Sequence, residues 1–396
     1  MMTLHSQTEF RWFRFIFRLV LAIPFVIALF LGIFYLAAPY YQFSEPERFN
    51  GQRFYNPYQD NAGQTTCSLS FSFNARHFVG MIFKGNYNIN IKGADTLQTQ
   101  HSHLTVNNFQ ILHSYVDQSG AKLSIYRHGM GGNSGQQLCI GAHSVVWTDY
   151  PLWSQPRHKQ NLLRKLNRTS ELVALTDPIP SFTYAELIKL SGYQLIELSQ
   201  SSEASLACWD TALSHGRDVH LLLSNFSGEE ATDSSKTFFS TQLFYNETSA
   251  ANLIHALKKG RFYNLEQPLS AIGSEVPYVQ SALMKADTFS LLVWPMAQQI
   301  RFIGQNGKLL QQSADTNASE YRFRPDDTYL RAEVVFDDGS TILLNPVVRT
   351  QGGSLPVQST AIFDVGKTAV IRAFIVFGFV LFFSLFIRFL SRKKST

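Results

Sequence analysis

The chain has 396 residues, of which 45% are hydrophobic and 16% are charged, and its formal net charge is +5. Residues 1–42 and 368–396 together hold eight Lys or Arg and one acidic residue, so residues 43–367 carry a net charge of about −2. The central part also lacks a Lys/Arg run with interleaved aromatic residues. This distribution excludes a basic nucleic-acid-binding surface and assigns the positive charge to the ends.

Two apolar segments lie near the ends of the chain. Residues 19–38 are uncharged and, at about 1.5 Å per residue, long enough to cross a hydrocarbon core of about 30 Å. A cleaved signal peptide is the alternative, but this run is longer than an ordinary signal-peptide core and is followed by Pro39-Tyr40-Tyr41 instead of small residues. Residues 373–387 form a second span when 368–372 are included, and a buried or interfacial helix is the alternative there.

Basic residues flank both segments on their terminal sides. They are Arg11, Arg14 and Arg18 before the first segment, and Arg388, Arg392, Lys393 and Lys394 after the second. The positive-inside rule then predicts that both termini are cytoplasmic and that residues 42–367 are extracytoplasmic. We expect a bacterial inner-membrane protein whose partners are the lipid bilayer and another protein of the same membrane.

The first half of the central part offers few metal-like spacings. His101 and His103 form a His-x-His pair on a predicted strand, but an exposed polar edge explains two residues on one face equally well. A further predicted strand, 123–126, precedes Arg127 and His128. A guanidinium cannot ligate a metal, although it can bind a phosphate or carboxylate through two hydrogen bonds.

An aromatic loop follows the predicted strand 138–146. It contains Trp147, Tyr150 and Trp153, which could stack on sugars, with burial as loop anchors as the alternative. His158 then stands just before a basic helical segment, 159–168. A surface histidine is the simplest interpretation of that position.

Short apolar runs alternate with helical patterns from residue 171 to residue 228. The runs are 172–175, 193–198 and 219–223, and the helical patterns are 184–190 and 204–215. Such alternation indicates a parallel sheet or barrel with crossover helices. In that architecture chemistry collects on the loops after the strands, which here contain Asp177 and Asn225.

These residues resemble motifs of the polymerase and histidinol phosphatase (PHP) family of metal-dependent phosphoesterases. Thr176-Asp177-Pro178 stands where the family has Ala-His-Pro, and residues 209–217 follow its Trp-Asp-x-x-Leu-x-x-Gly-Arg pattern. Residues 225–228 stand where the family has an Asp and His cluster. The resemblance covers about residues 55–265 and implies a distorted α/β barrel, the PHP-like (β/α) barrel.

The resemblance also implies where metal ligands would lie. Their positions are Ser68 and Ser70 (or, one step on, Ser70 and Ser72), Arg127, His128, His158, Asp177, Asn225 and Gly228. Serine is a weak ligand, Arg127 replaces a glutamate and Gly228 has no side chain, so Asp177 is nearly alone as a plausible ligand. A hydrolytic metal site needs several ligands and an open position.

Three functions follow from this pattern. The first is a membrane-tethered PHP-like domain that has lost its metal cluster, needs no cofactor and serves as a binding or scaffold module. The alternative is a phosphoesterase with a divalent metal, in which Asp177, His128 and His158 bind metal and Arg127 clamps phosphate. The second alternative is a cell-envelope glycan-binding module that uses the aromatic loop.

The chain after residue 285 changes character. Short strand-like runs at 289–294, 300–303, 321–323, 329–336 and 341–344 alternate with turns at 305–308 and 337–340. They predict a small β-sandwich. The expected divisions are 1–41 with the first span, 42–285 as the barrel, 286–350 as the sandwich, 351–367 as a linker, and 368–396 with the second span and a basic tail.

Cys67, Cys139 and Cys208 are far apart and form no CxxC pair, so a structural zinc site is not expected. We expect three buried thiols, with one disulfide as the alternative.

Overall fold

The computed structural model describes residues 23, 26–27, 29–59, 66–78, 81–93, 113–116, 122–129, 135–228, 237–244, 249–271, 275–355 and 360–391. The chain divides into two compact units. One unit is residues 43–361, and the other comprises residues 1–42 with 362–396. The His101 and His103 pair lies outside the described residues.

The described strands and helices follow one another along the chain. The strands are β1 (Tyr41–Gln42), β2 (Arg53–Tyr55), β3 (Thr66–Phe78), β4 (Met81–Gly93), β5 (His113–Val116), β6 (Lys122–His128), β7 (Gln136–Ile140), β8 (Leu172–Thr176), β9 (Leu195–Leu198), β10 (His220–Leu223), β11 (Asn225–Gly228), β12 (Thr237–Phe244), β13 (Phe262–Pro268), β14 (Tyr278–Lys285), β15 (Thr288–Ile303), β16 (Leu309–Arg322), β17 (Tyr329–Val335), β18 (Thr341–Leu344), β19 (Val347–Thr350) and β20 (Ile362–Phe363). The labelled helices are α1 (Pro156–Thr169), α2 (Tyr184–Lys189), α3 (Glu203–Ser214), α4 (Ala250–Lys259) and α5 (Val365–Ser391).

A six-stranded sheet organises the first half of the central unit. Its strand order is β10-β9-β8-β7-β6-β5, with β8, β9 and β10 parallel and the other neighbours antiparallel. The three parallel strands and the helices α2 and α3 between them confirm the predicted alternation. After β10 the chain passes through Ser224 into β11, which pairs with β3 in a different sheet. Among the described residues no pairing joins β5 to β10, so a closed PHP-like barrel is not confirmed.

Strands β8, β9 and β10 are buried on both faces, which explains their nearly continuous apolar runs. Alternate residues of β8 point to opposite faces of the sheet and pack in two different hydrophobic cores. Val173 and Leu175 pack with the apolar faces of α1, α2 and α3, whereas Leu172 and Ala174 pack with α4, β12 and β13. The thiols of Cys139 and Cys208 are buried and free, in agreement with the expectation for these two cysteines.

Two buried asparagine side chains form hydrogen bonds with the backbone groups on the outer edge of β10. Asn264 Nδ2 donates to the carbonyl of Leu221 at 2.8 Å, and Asn264 Oδ1 accepts from the amide of Leu223 at 3.0 Å. Asn345 Oδ1 accepts from the amide of Leu221 at 3.0 Å. An unpaired strand edge in the interior would leave costly polar groups, so these amides take the place of a neighbouring strand. They also join β10 to β13 and to the end of β18.

The second half of the central unit belongs to a twelve-stranded sheet. Its main path is β11-β3-β12-β13-β18-β17-β15-β14, and β2, β4, β16 and β19 pair at its sides. The described neighbours are antiparallel except β11 and β3. All five strand-like runs predicted after residue 285 lie in or overlap β15 to β18. These strands continue the sheet that contains β3, β12 and β13.

Among its described residues, the terminal unit contains one helix that is long and apolar enough to cross a membrane. Its residues Val365–Leu385 have a mean hydropathy of 2.2, and only 6% of this apolar stretch is buried. Residues 29–36 are also helical, but 1–22 lie outside the described part, so two transmembrane helices are not confirmed. β1 and β20 pair antiparallel, and Thr368 Oγ1 accepts from the amide of Tyr40 at 2.9 Å. This short sheet joins the two ends of the chain.

Candidate functional site

The carboxyl ends of β6, β8 and β9 bring a buried ion pair to one edge of the six-stranded sheet. Arg127 Nη2 lies 2.9 Å from Glu197 Oε1, and the two side chains are 5% and 0% exposed. The second carboxylate oxygen, Glu197 Oε2, accepts a hydrogen bond from the hydroxyl of Thr176. Gln136 Oε1 accepts from Arg127 Nη1 at 3.2 Å. Both oxygens of Glu197 are therefore engaged by donors of the protein itself.

Asp177 lies at the same edge, directly after β8. Its backbone has φ of 36°, its amide donates to the carbonyl of Glu197 at 2.8 Å, and its Oδ1 accepts from the amide of Ser199 at 2.9 Å. Its side chain is exposed, yet surrounding protein atoms still desolvate it, and this raises its pKa. The hydrogen bonds from Ser199 and the charge of Arg127 oppose this increase and lower the pKa of Asp177. The negative charge of Glu197 raises it further. Arg127 and Asp177 therefore lie at the same edge of the six-stranded sheet.

His128 follows Arg127 on β6, and its side chain lies on the opposite face. The ring is fully buried and lies edge-on to Tyr126, with ring centroids 6.4 Å apart. Burial lowers the pKa of His128, against the opposing effects of the Asp149 carboxylate and the carbonyls of Val146 and Thr148. His128 is therefore a buried core histidine, and it does not join the predicted ligand set around Asp177.

His158 has a role at the start of α1. Its Nδ1 accepts from the backbone amide of Gln155 at 3.1 Å, which completes a capping arrangement at the helix N-terminus. Its ring stacks on Tyr150, with centroids 4.7 Å apart and planes 20° apart. The residue is fully buried, so the expectation of a surface histidine is wrong. These contacts explain a histidine here without a metal.

The other predicted ligand positions lie in the twelve-stranded sheet. Ser68 and Ser70 are on β3, where they pair with Lys92 and Asn90 of β4. Asn225 and Gly228 are the first and last residues of β11, which pairs with β3 in parallel. Asn225 is in register with Ser72, four residues beyond Ser68. The predicted ligand positions are thus distributed over two sheets and helix α1, and the described residues contain no group of three or more His, Cys, Asp or Glu that could hold a metal ion.

The segment 209–217, which follows the family pattern, has a clear role in the fold. Trp209 is buried and its Nε1 donates to the carbonyl of Val219 at 3.0 Å. Asp210 accepts from Arg331 through both oxygens at 2.8 Å, and so ties α3 to β17. Arg217 donates to the carbonyls of Ile188 and Lys189, the last turn of α2. These residues hold helices in place and leave little of the motif for chemistry.

Gly216 is the position in this segment at which only glycine fits. Its φ is +85°, and a Cβ there would lie 1.9 Å from the carbonyl oxygen of Glu47. We predict that Gly216→Ala lowers the free energy of unfolding by at least about 2 kcal/mol, because both the backbone conformation and the contact resist a side chain. Urea denaturation of the full chain in detergent measures it. Gly352→Ala is the control, since a Cβ there meets nothing closer than Ser354 Oγ at 3.9 Å; an equal loss in both variants would contradict the prediction.

The aromatic loop divides into buried and exposed members. Tyr150 is buried and its hydroxyl accepts from Asn161 Nδ2 at 2.8 Å, as expected of a loop anchor. Trp147 and Trp153 are 75% and 48% exposed. Of the three aromatic residues, only Tyr150 is a buried loop anchor. Stacking of sugars on the two exposed tryptophans stays a prediction.

Glu197 is the site residue that sequence reasoning missed. It stands as the single charged residue in the apolar run 193–198. A charge inside a buried strand requires a partner, so this glutamate already indicated a buried cation nearby. Arg127, whose place in the sequence suggested phosphate binding, is that cation.

No protein-family model, curated protein or solved structure matches this chain. The PHP resemblance therefore stays a prediction that depends on the residues quoted above.

Proposed function

We propose that this chain is a membrane-tethered binding or scaffold module on a PHP-like frame, in which a buried ion pair takes the place of a metal cluster. The observation that carries this proposal is the Arg127–Glu197 contact at 2.9 Å. The guanidinium supplies a fixed positive charge at the edge where the resemblance places a metal. Thr176 engages the second oxygen of Glu197.

The residues at this edge do not fit a divalent metal. A metal that used Asp177 or Glu197 would lie close to the Arg127 charge. At about 5 Å and an effective dielectric constant of about 20, the repulsion between a divalent ion and a guanidinium is about 7 kcal/mol. Glu197 would also have to give up donors that it already has. Arg127 and Thr176 engage both oxygens of Glu197, which leaves Asp177 as the one carboxylate among the described residues of this edge that a metal could reach, and one carboxylate does not make a metal site.

Several features support a role in binding or scaffolding. The motif segment 209–217 stabilises the fold through buried contacts. The residues that support a PHP-like fold are therefore present, although the residues at the metal-ligand positions differ from those of the family. Trp147, Leu152 and Trp153 also leave apolar surface exposed on one loop. An exposed aromatic surface on a tethered domain suits recognition of a protein partner in the same membrane.

The membrane arrangement is part of the proposal. The apolar part of α5, Val365–Leu385, anchors the chain, residues 19–38 supply the second span, and Arg388 lies on the cytoplasmic side. Both termini are then cytoplasmic, in a bacterial inner membrane, and residues 42–367 are extracytoplasmic. Reporter fusions at the two termini should both give cytoplasmic signals, and an extracytoplasmic signal at either terminus would refute this topology.

A phosphoesterase with a remodelled site is the rival function, because Asp177 is exposed at the same edge as Arg127. We predict that the full chain, supplied in turn with Mn²⁺, Fe²⁺, Zn²⁺ and Mg²⁺, hydrolyses p-nitrophenyl phosphate and bis-p-nitrophenyl phosphate no faster than its Asp177→Asn variant. Release of p-nitrophenolate measures the rate. Turnover that Asp177→Asn abolishes and that Asp326→Asn, at an exposed aspartate elsewhere, retains would establish the enzyme instead.

A further inference from the structure

A cavity of about 480 Å³ lies beside β2, away from the edge that carries Arg127 and Glu197. Its size is within the range of about 300–1,000 Å³ that small-molecule sites occupy. Two guanidinium groups line it, those of Arg53 and Arg261, and none of its ten described lining residues is acidic. The cavity should therefore favour ligands that carry a negative charge.

The walls of this cavity are held by hydrogen bonds between separate parts of the chain. The Tyr55 hydroxyl donates to the carbonyl of Lys259 at 2.8 Å, at the end of α4. Gln59 Oε1 accepts from the amide of Met284 at 3.0 Å, at the end of β14. Asn56 Nδ2 donates to the carbonyl of Ala282 at 2.9 Å. The cavity is thus formed before a ligand arrives, which reduces the entropy cost of binding.

Arg261 lies close to other cations at the end of α4. Arg261 follows Gly260, whose left-handed conformation ends α4, and the last turn of that helix carries Lys258 and Lys259. The pKa of His255 is lowered, first by desolvation and then by repulsion from Arg261 and these two lysines. Lys258 is paired with Glu171 and Lys259 acts on Asp218, so Arg261 is the cation of this group that lines the cavity itself.

We propose that this cavity binds an organic anion, a phosphate monoester or phosphodiester with a small apolar group. The phosphate lies against Arg53 and Arg261, because a guanidinium binds phosphate oxygens through paired hydrogen bonds. The apolar group lies on Met284 and the edge of Phe54, whose ring also contacts Phe323 and Arg349, and Gln52 contributes a polar rim. A soluble phosphate ester and a phospholipid headgroup share this chemistry.

Isothermal titration calorimetry of the full chain in uncharged detergent tests the site with phenyl phosphate as the probe. We expect saturable binding at one site per chain, with inorganic phosphate and phenol each at least tenfold weaker. Arg53→Glu should weaken binding at least tenfold without changing the unfolding temperature, because Arg53 is exposed. Arg168→Glu is the matched control, since Arg168 is an exposed arginine of α1 outside the cavity.

Absence of saturable heat with phenyl phosphate would overturn the proposal. So would an equal loss of affinity in Arg53→Glu and Arg168→Glu, because the probe would then report overall charge. The two ligand sources are distinguished by repeating the titration in nanodiscs of phosphatidylcholine with and without phosphatidylglycerol. Competition by phosphatidylglycerol assigns the site to a lipid headgroup, and unchanged affinity assigns it to a soluble ester. Neither result depends on whether the Arg127–Glu197 edge holds a metal.

Discussion

Replacing Glu197 by leucine should lower the free energy of unfolding by about 3–5 kcal/mol, because it leaves the buried guanidinium of Arg127 without its carboxylate. Gln136 would remain as a neutral acceptor at 3.2 Å, which is too little to offset the buried charge. Urea denaturation of the full chain in detergent, followed by tryptophan fluorescence, measures the difference.

The double variant Arg127→Met/Glu197→Leu separates a structural pair from a functional one. If the pair only balances charge inside the fold, removal of both partners should restore most of the lost stability, since apolar replacements of buried ion pairs are often neutral or stabilising. Glu171→Leu is the control, because Glu171 and Lys258 form an exposed pair at 4.0 Å that contributes less than about 1 kcal/mol. A double variant as unstable as the single one would contradict this account of the site.

Replacing Asn264 by alanine should be similarly severe, with a loss of about 3–5 kcal/mol. The change leaves three buried groups without their partner: the carbonyl of Leu221, the amide of Leu223 and the hydroxyl of Thr241. Each unsatisfied buried group costs about 1–3 kcal/mol. The same denaturation experiment measures the loss.

Asn317→Ala provides the comparison for Asn264, because Asn317 is exposed on β16. A surface substitution of this kind should change the free energy of unfolding by no more than about 0.5 kcal/mol. If Asn264→Ala were equally mild, the edge of β10 would be satisfied in some other way. The described connection of β10 to β13 would then need revision.

The alternating strands and helices between residues 171 and 228 were predictable because their order depends on local patterns. Strand β8 is a short apolar run, and α2 is capped by Thr183, whose side chain accepts from the amide of Glu186. Such signals lie within a few residues of the elements they define. The same is true of the turn at 337–340, where Gly339 has φ of +83°.

The sheet pairing was not predictable in the same way. Nothing local indicates that the chain leaves the six-stranded sheet at Ser224, or that β11 then pairs with β3, about 150 residues earlier. The predicted sandwich strands were found, but their pairing with β13 depends on contacts over long sequence distances. The local hydrophobic pattern indicates where a strand lies and which of its faces is buried. The strand with which it pairs depends instead on contacts across the whole fold.

The candidate site shows the same division between local and distant information. Arg127 and Asp177 were chosen from motif positions, and both lie at the carboxyl ends of strands in the six-stranded sheet. The partner that decides the chemistry, Glu197, lies 70 residues from Arg127. His128 was chosen with Arg127, but adjacent residues of a strand point to opposite faces, and this alone removes it from the site.

The most direct test of the central claim is the metal content of the full chain. The protein would be expressed with excess Mn, Fe and Zn, purified in detergent, dialysed exhaustively and analysed by plasma mass spectrometry. Because Arg127 and Thr176 already engage both oxygens of Glu197, we predict well under one transition-metal ion per chain. One or more tightly held ions per chain, lost in an Asp177→Asn variant, would contradict the account and indicate a working metal centre.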